Sequence, residues 1–340
     1  MPTNETRNLD ALITNRRTLL MGGGAALAAL ATPTVTRAAL TVSSFTDNDI
    51  LNFALNLEYL EANFYYLAAF GTNISATNPL YPSGAMLQSI TGSGTQGTVA
   101  VKANPKVPFS SLAVASYAVE TAIEEGKHVA FLRNVLGSAA VAQPQIDLQT
   151  SFNTLASAAG IGSTFDPFAS DANFLIGAYI FEDVGVTAYH GAAPLFTTGS
   201  TGKTYLTAAA GILAVEAYHA GLIRTTIAAI DAQNNNTALE MLTQKISATR
   251  YALSKAVAPT SGAGSAAAST SDDIGVGTQT DSLEGTSVMA STIVDADANA
   301  ITFARTPTQV LNIVTGGGAA TSGTKATGVF FPNGLNGTFA

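Results

Sequence analysis

The chain has 340 residues, 47% hydrophobic and only 11% charged, with a formal net charge of −8. Such a chain can build an extensive core under a surface of Ser, Thr, Asn and Gly, and its acidic balance removes electrostatic support for binding nucleic acid. Cysteine is absent, which excludes disulfides, thiolate metal sites and cysteine nucleophiles, and fits export without oxidative folding.

Arg16-Arg17 precede a modest apolar run, Met21 to Ala31, that Gly22-Gly23-Gly24 loosen, and Thr36-Arg37-Ala38 offers small residues at a cleavage site. Residues 1–38 read as a twin-arginine export signal, placing the mature protein in the periplasm or outside the cell. The run is too short and glycine-rich for a good membrane anchor, so no stable span is expected once the signal is removed.

The first helical pattern runs from about Ile50 to Phe70, with Asp47, Asn48 or Asp49 as its cap and Gly71 as its stop. Residues 72–109, rich in Gly, Ser, Thr, Asn and Pro, read as a long loop with a short element near 85–90; irregular connections of that length are often functional. Further helices are expected at about Ser110–Leu136, Asp171–His190 and Lys203–Asp231, with Gly191 and Pro194 ending the third. A short helix is expected near Ser151–Ala159, and an amphipathic fifth pattern over Thr237–Ala256. These elements group residues 45–256 as one helical unit. Residues 257–340 read as a Gly/Ser/Thr-rich extension with little to pack over 260–290, a short helix from Pro307, and Phe330-Phe331 among Gly and Asn. This extension is expected to wrap over the bundle or over a second copy of the chain, which leaves a homo-oligomer open.

The chemistry concentrates in two short repeats. Of three histidines, two follow a glutamate by three positions: Glu125/His128 and Glu216/His219. Positions i and i+3 share a helix face, so each pair presents a carboxylate and an imidazole to one point. A dinuclear site in a four-helix bundle needs two such helices, and one lone carboxylate from each of the other two. Glu58 and Glu61 are the candidates in the first helix, Glu182 and Asp183 in the third. Placing Glu58 on Glu182 also puts Leu51 on Leu175, Ala54 on Ala178 and Tyr65 on Tyr189, whereas Glu61 falls on Gly185. Placing Glu125 on Glu216 puts His128 on His219 and Arg133 on Arg224. Helices one and two are thus a diverged copy of helices three and four, and that symmetry selects Glu58.

Each selected glutamate sits in an apolar stripe, where unpaired carboxylates are poorly solvated and repel one another. Two divalent cations would balance four carboxylates, and oxygen-rich ligation with one nitrogen per metal suits iron or manganese. The metal set expected is Glu58, Glu125, His128, Glu182, Glu216 and His219. Glu61 and Glu124 lie off the metal faces and are expected in solvent or behind the ligands. Tyr65 and Tyr189 are expected as core tyrosines with bonded hydroxyls, and His190 at a helix C-terminus. Arg133 and Arg224 are expected either to orient carboxylates or to lie on the surface.

Leu57-Glu58-Tyr59-Leu60-Glu61-Ala62-Asn63-Phe64-Tyr65, the Glu125/His128 pair and Phe181-Glu182-Asp183-Val184-Gly185-Val186-Thr187-Ala188-Tyr189 resemble the ferritin-like superfamily. With Thr306-Pro307-Thr308-Gln309-Val310-Leu311 and Phe331-Pro332-Asn333-Gly334, the chain most resembles its exported family associated with desiccation and stress. The resemblance covers most of residues 45–335. It implies an all-α, ferritin-like four-helix bundle with an internal two-fold repeat, a fifth helix, long loops and an irregular tail. It also implies that the six residues above are ligands of a dimetal site. Superfamily chemistry includes ferroxidase, oxygenase and manganese-catalase activity, while the stress-associated family has no settled reaction. The 72–109 insertion and the glycine-rich tail depart from cage-forming ferritins. Two functions follow as expectations: redox chemistry with O2, peroxide or Fe2+, or a non-catalytic stress protein on the same scaffold.

Overall fold

The computed structural model describes residues 45–75, 89–257, 272–283, 285–318 and 325–339. The export-signal reading of residues 1–38 and most of the short element at 85–90 lie outside them. Helix α1 spans Asp47–Phe70. Its cap is Thr46, one residue before the expected candidates: the Thr46 hydroxyl accepts from Asp49 N, and the Asp49 carboxylate accepts from Thr46 N. This reciprocal arrangement satisfies two otherwise orphaned donors. Helix α2 spans Leu112–Leu136, capped by Ser111. After the short α3, Ser151–Ala158, come α4, Asp171–Ala192, and α5, Ser200–Gln233. Helix α6 spans Ala238–Ala256 and α7 Pro307–Val314.

The described structure is mostly helical, an all-α bundle with two short strand pairs. Helix α1 pairs with α2, α4 pairs with α5, and the two pairs meet through α1 and α4. Helix α6 lies on α4 and α5, with α7 on α6 and α4. The start of α2 is tied to the start of α4, because Ser110 N and Ser111 N both donate to the Asp171 carboxylate. Phe64 of α1 anchors an aromatic cluster with Phe152, Phe168, Phe174 and Phe181.

Helix α1 is buried almost all round, polar residues included. The long connection and the chain end cover the face that a bundle alone would leave wet. In that connection β1, Val99–Ala100, pairs in parallel with β2, Ile146–Asp147. Asn56 of α1 donates to Asn336 O and accepts from Asn336 N, and the Asn336 side chain donates to Thr95 O and Ala142 O. These bonds supply the partners that buried amides require.

Gly191 does not stop its helix; α4 continues to Ala192. The glycine is there because the Arg305 backbone crosses it so closely that a Cβ would collide with the Arg305 carbonyl. His190, in the last turn of α4, holds the same crossing segment through Nδ1 to Phe303 O at 3.1 Å.

Of the segment expected to have little to pack, residues 260–271 lie outside the described residues; from Asp272 onward it is anchored by charge. Asp272, Asp273 and Val276 are buried. Strands β3, Thr278–Leu283, and β4, Thr286–Ser291, form an antiparallel hairpin where irregular chain was expected. Hydrophobicity does not reveal such a segment, because its anchors are acids whose arginine partners lie elsewhere in the chain.

Helix α5 is long and apolar enough by length and composition to cross a membrane. It also turns Glu216, His219 and Arg224 into the protein, each buried, as a core helix does.

Candidate metal centre

Each bundle helix delivers its carboxylate to one point between the two pairs: Glu58 from α1, Glu125 from α2, Glu182 from α4 and Glu216 from α5. All four are at most 1% exposed. His128 Nδ1 lies 3.3 Å from Glu58 Oε2, 3.5 Å from Glu125 Oε2 and 3.6 Å from Glu216 Oε1. His219 Nδ1 lies 3.1 Å from Glu125 Oε1 and 3.3 Å from Glu182 Oε2. Two groups able to hold an ion result: Glu58, Glu125, His128 and Glu216, and beside it Glu125, Glu182 and His219. Glu125 belongs to both, with one oxygen facing each imidazole.

The two halves brace each other reciprocally. Tyr65 of α1 donates its hydroxyl to Glu182 Oε1, and Tyr189 of α4 donates to Glu58 Oε1. Each lone carboxylate is held by one oxygen and leaves the other facing the centre. Nε2 of His219 meets Glu124 Oε2 at 2.8 Å, so Glu124 fixes the ring from behind.

Glu61 is not in solvent: it is 6% exposed and within the field of the cluster. Its counterpart is Gly185, where a Cβ would collide with Glu216 Oε2 and come within 3.5 Å of Glu61 Oε1. At Gly185 the space a side chain would need is taken by Glu216. Neither Arg133 nor Arg224, expected either to orient carboxylates or to lie on the surface, bonds to the six residues. Arg133 donates to the Tyr59 hydroxyl and Thr91 O. Arg224, fully buried, pairs with Asp183 at 3.0 Å and donates to Ile274 O and Ile293 O. Unforeseen was the network beyond it, in which Arg250 bridges Asp183 and Asp273, and Arg305 holds Asp272 and Asp273. No spacing pattern links these residues in sequence.

The charges of the six residues strain against burial. Burial pushes the Glu58 carboxyl up to about 7, against the pull of His128. Burial first, then the surrounding carboxylates, raises Glu216 and Glu61 well above the ordinary carboxyl range. For Glu125, burial acts upward but the two imidazoles prevail and hold it low. Burial alone would depress the imidazoles, yet Glu58 and Glu125 carry His128 up to about 11, and Glu182 and Glu125 carry His219 up to about 12. The carboxylates thus favour the protonated form of both imidazoles, while Glu125 favours its ionised form.

The donor atoms fit metal better than protons. Eight buried atoms of these six residues lack a hydrogen bond: Glu58 Oε2, both oxygens of Glu125 and of Glu216, Glu182 Oε2, and Nδ1 of both histidines. Buried polar atoms are rarely left so. All eight belong to the residues that converge on the two groups, and oxygen donors with one nitrogen on each side suit iron or manganese.

A family model described as a ferritin-like domain matches residues 46–229. Among curated proteins, the desiccation-related protein PCC13-62 of Craterostigma plantagineum is 34% identical over 187 residues, covering 54% of this chain and 53% of that protein. The chain thus spans about half the length of that relative. The ferritin-like catalase Nec2 of Nesocodon mauritianus is 25% identical over 302 residues, 86% of this chain and 85% of that protein. No solved structure matches.

Proposed function

The chain belongs to the ferritin-like domain family, and from that premise we propose that its bundle holds a dinuclear iron or manganese centre that disproportionates hydrogen peroxide. The observation that carries the reading is the set of eight orphaned donor atoms on six converging residues. Glu58, His128 and Glu216 would hold one metal, Glu182 and His219 the other, and Glu125 would bridge them. Bound there, the metals supply the electron exchange by which two peroxides become two waters and one dioxygen.

The protein's own part is positioning. Tyr65 and Tyr189 fix the two lone carboxylates, Glu124 fixes the His219 ring, and the apolar stripes exclude bulk water. The Glu61 carboxyl, beside the cluster, is placed to take and return a peroxide proton. The relative named as a catalase, aligned over most of both chains, supports peroxide as substrate. Arg16-Arg17 and the weakly apolar run after them support export by the twin-arginine route.

Metal analysis of protein purified without added metal, followed by oxygen evolution from peroxide, tests the proposal. The expected result is about two iron or manganese ions per chain and sustained oxygen release. Fewer than about one metal per chain, with helicity intact, would overturn the metal centre. A loaded protein that evolves no oxygen would favour a non-catalytic stress protein, the reading that the desiccation-related relative supports.

A further inference from the structure

The internal repeat implies two like halves of the candidate metal centre, yet the structure makes them unlike in two ways. The first concerns the carboxylates. Glu125 spans both imidazoles, with Oε2 3.5 Å from His128 Nδ1 and Oε1 3.1 Å from His219 Nδ1. Its counterpart in the repeat, Glu216, lies 3.6 Å from His128 Nδ1 but is not paired with His219 of its own helix. The His128 side therefore gathers Glu58, Glu125 and Glu216 around one imidazole, and the His219 side only Glu125 and Glu182.

The second difference lies behind the rings. Glu124 Oε2 is 2.8 Å from His219 Nε2. The position that corresponds to Glu124 in the repeat is Val215, whose side chain forms no hydrogen bond. His128 Nε2 accordingly has no hydrogen bond among the described residues. A carboxylate on the far nitrogen fixes a ring's tautomer and orientation and makes it a better metal ligand. The side with fewer carboxylates is thus the one whose imidazole is backed.

On the reading of this cluster as a dimetal centre, we propose that its two positions are unequal and fill in order. The His128 position fills first and tightly; the His219 position fills second and depends on Glu124 as its positioning residue. Charge count and rigidity set a site's affinity for a divalent cation. The His128 position has the greater charge, from three carboxylates. The His219 position has less charge and relies on a ring held in place.

Titration of the metal-stripped full-length protein with Mn2+, followed by calorimetry and by the spin-resonance signal of free Mn2+, tests this without turnover. Two steps of one ion each are expected, with dissociation constants about tenfold or more apart. Glu124→Val installs the residue of the other half. It should leave the tight step unchanged and weaken the second by about ten- to a hundredfold. Glu124→Gln, whose amide oxygen still accepts from Nε2, should recover most of that loss. Glu124 is 34% exposed, so neither change opens a core cavity; if Glu124→Val lost helicity, the two steps of the unaltered protein and the Gln variant would still decide. Two equal steps, equal weakening of both steps in Glu124→Val, or a Gln variant as weak as the Val variant would overturn the proposal. Two equal steps would leave the dimetal centre standing, whereas no binding at all would remove that centre and this inference with it.

Discussion

Two buried ionic clusters lie side by side in this bundle, and adjacent residues of α4 serve them: Glu182 belongs to one and Asp183 to the other. Around Asp183, charge is matched by charge. Arg224 and Arg250 reach it at 3.0 and 2.9 Å, and Arg250 and Arg305 reach Asp273 at 2.7 and 2.8 Å. Within that network only Asp295 Oδ2 and Arg305 Nε lack a hydrogen bond. Around Glu182, four carboxylates face two imidazoles with eight donor atoms unsatisfied. Both clusters are buried, but only in the first do arginines face the carboxylates. The first has the composition of a structural network; the second has the composition of a site that could hold cations from outside.

The sharpest way to break this contrast is to remove the residue shared by both metal groups. Glu125→Ala should lower metal content from about two ions per chain to nearly none while circular dichroism shows the helices retained. Two metals still bound would mean that Glu125 does not bridge.

Removing a member of the complete cluster should have the opposite signature. Arg250→Ala leaves Asp183 and Asp273 short of a partner and should destabilise the fold by about 3–5 kcal/mol in urea unfolding. The same network sets an acid limit. Burial would raise the Asp273 carboxyl, but Arg250 and Arg305 hold it below its ordinary value. Its stabilisation is therefore present above the ordinary carboxyl range and lost as pH falls through the depressed folded value.

Smaller changes probe the bracing. Tyr65→Phe or Tyr189→Phe should weaken metal binding by about tenfold in chelator competition, because each frees an oxygen of Glu182 or Glu58 to turn. The two effects should be similar, since the residues are related by the internal repeat.

The mildest test is protonic. In the metal-free fold His128 and His219 are raised to about 11 and about 12. Their contribution to stability is full below the ordinary imidazole range and lost as pH rises through those folded values. At pH 7 both rings are charged, so metal uptake should release about two protons or more per chain and weaken as pH falls. Calorimetry in buffers of different ionisation enthalpy measures that release; uptake without protons would contradict the charge state described.

Much of this was legible in the chain alone. Glu-x-x-His spacing places two side chains on one helix face whatever surrounds it, and the repeat that aligns Glu58 with Glu182 needs no structure to be seen. The bundle helices follow from local periodicity and caps, so their extents differ from expectation by only a few residues, as at Thr46 and Ala192. What crosses the chain was not legible. Tyr65 binds the carboxylate of the other half, Glu124 reaches His219 across 95 positions, and Asn336 completes Asn56 across 280.

The fate of the charged residues shows the division most clearly. Helical period by itself determined that Glu125 with His128, and Glu216 with His219, share a helix face, because that geometry is local. Only tertiary structure decided that Glu61 faces the cluster rather than water, that Arg224 serves Asp183 rather than a ligand, and that the Gly/Ser-rich tail is anchored through Asp272 and Asp273. Those outcomes depend on which distant segments share a desolvated space. There a carboxylate is stable only beside whatever partner the fold brings, and the partner's position along the chain is free.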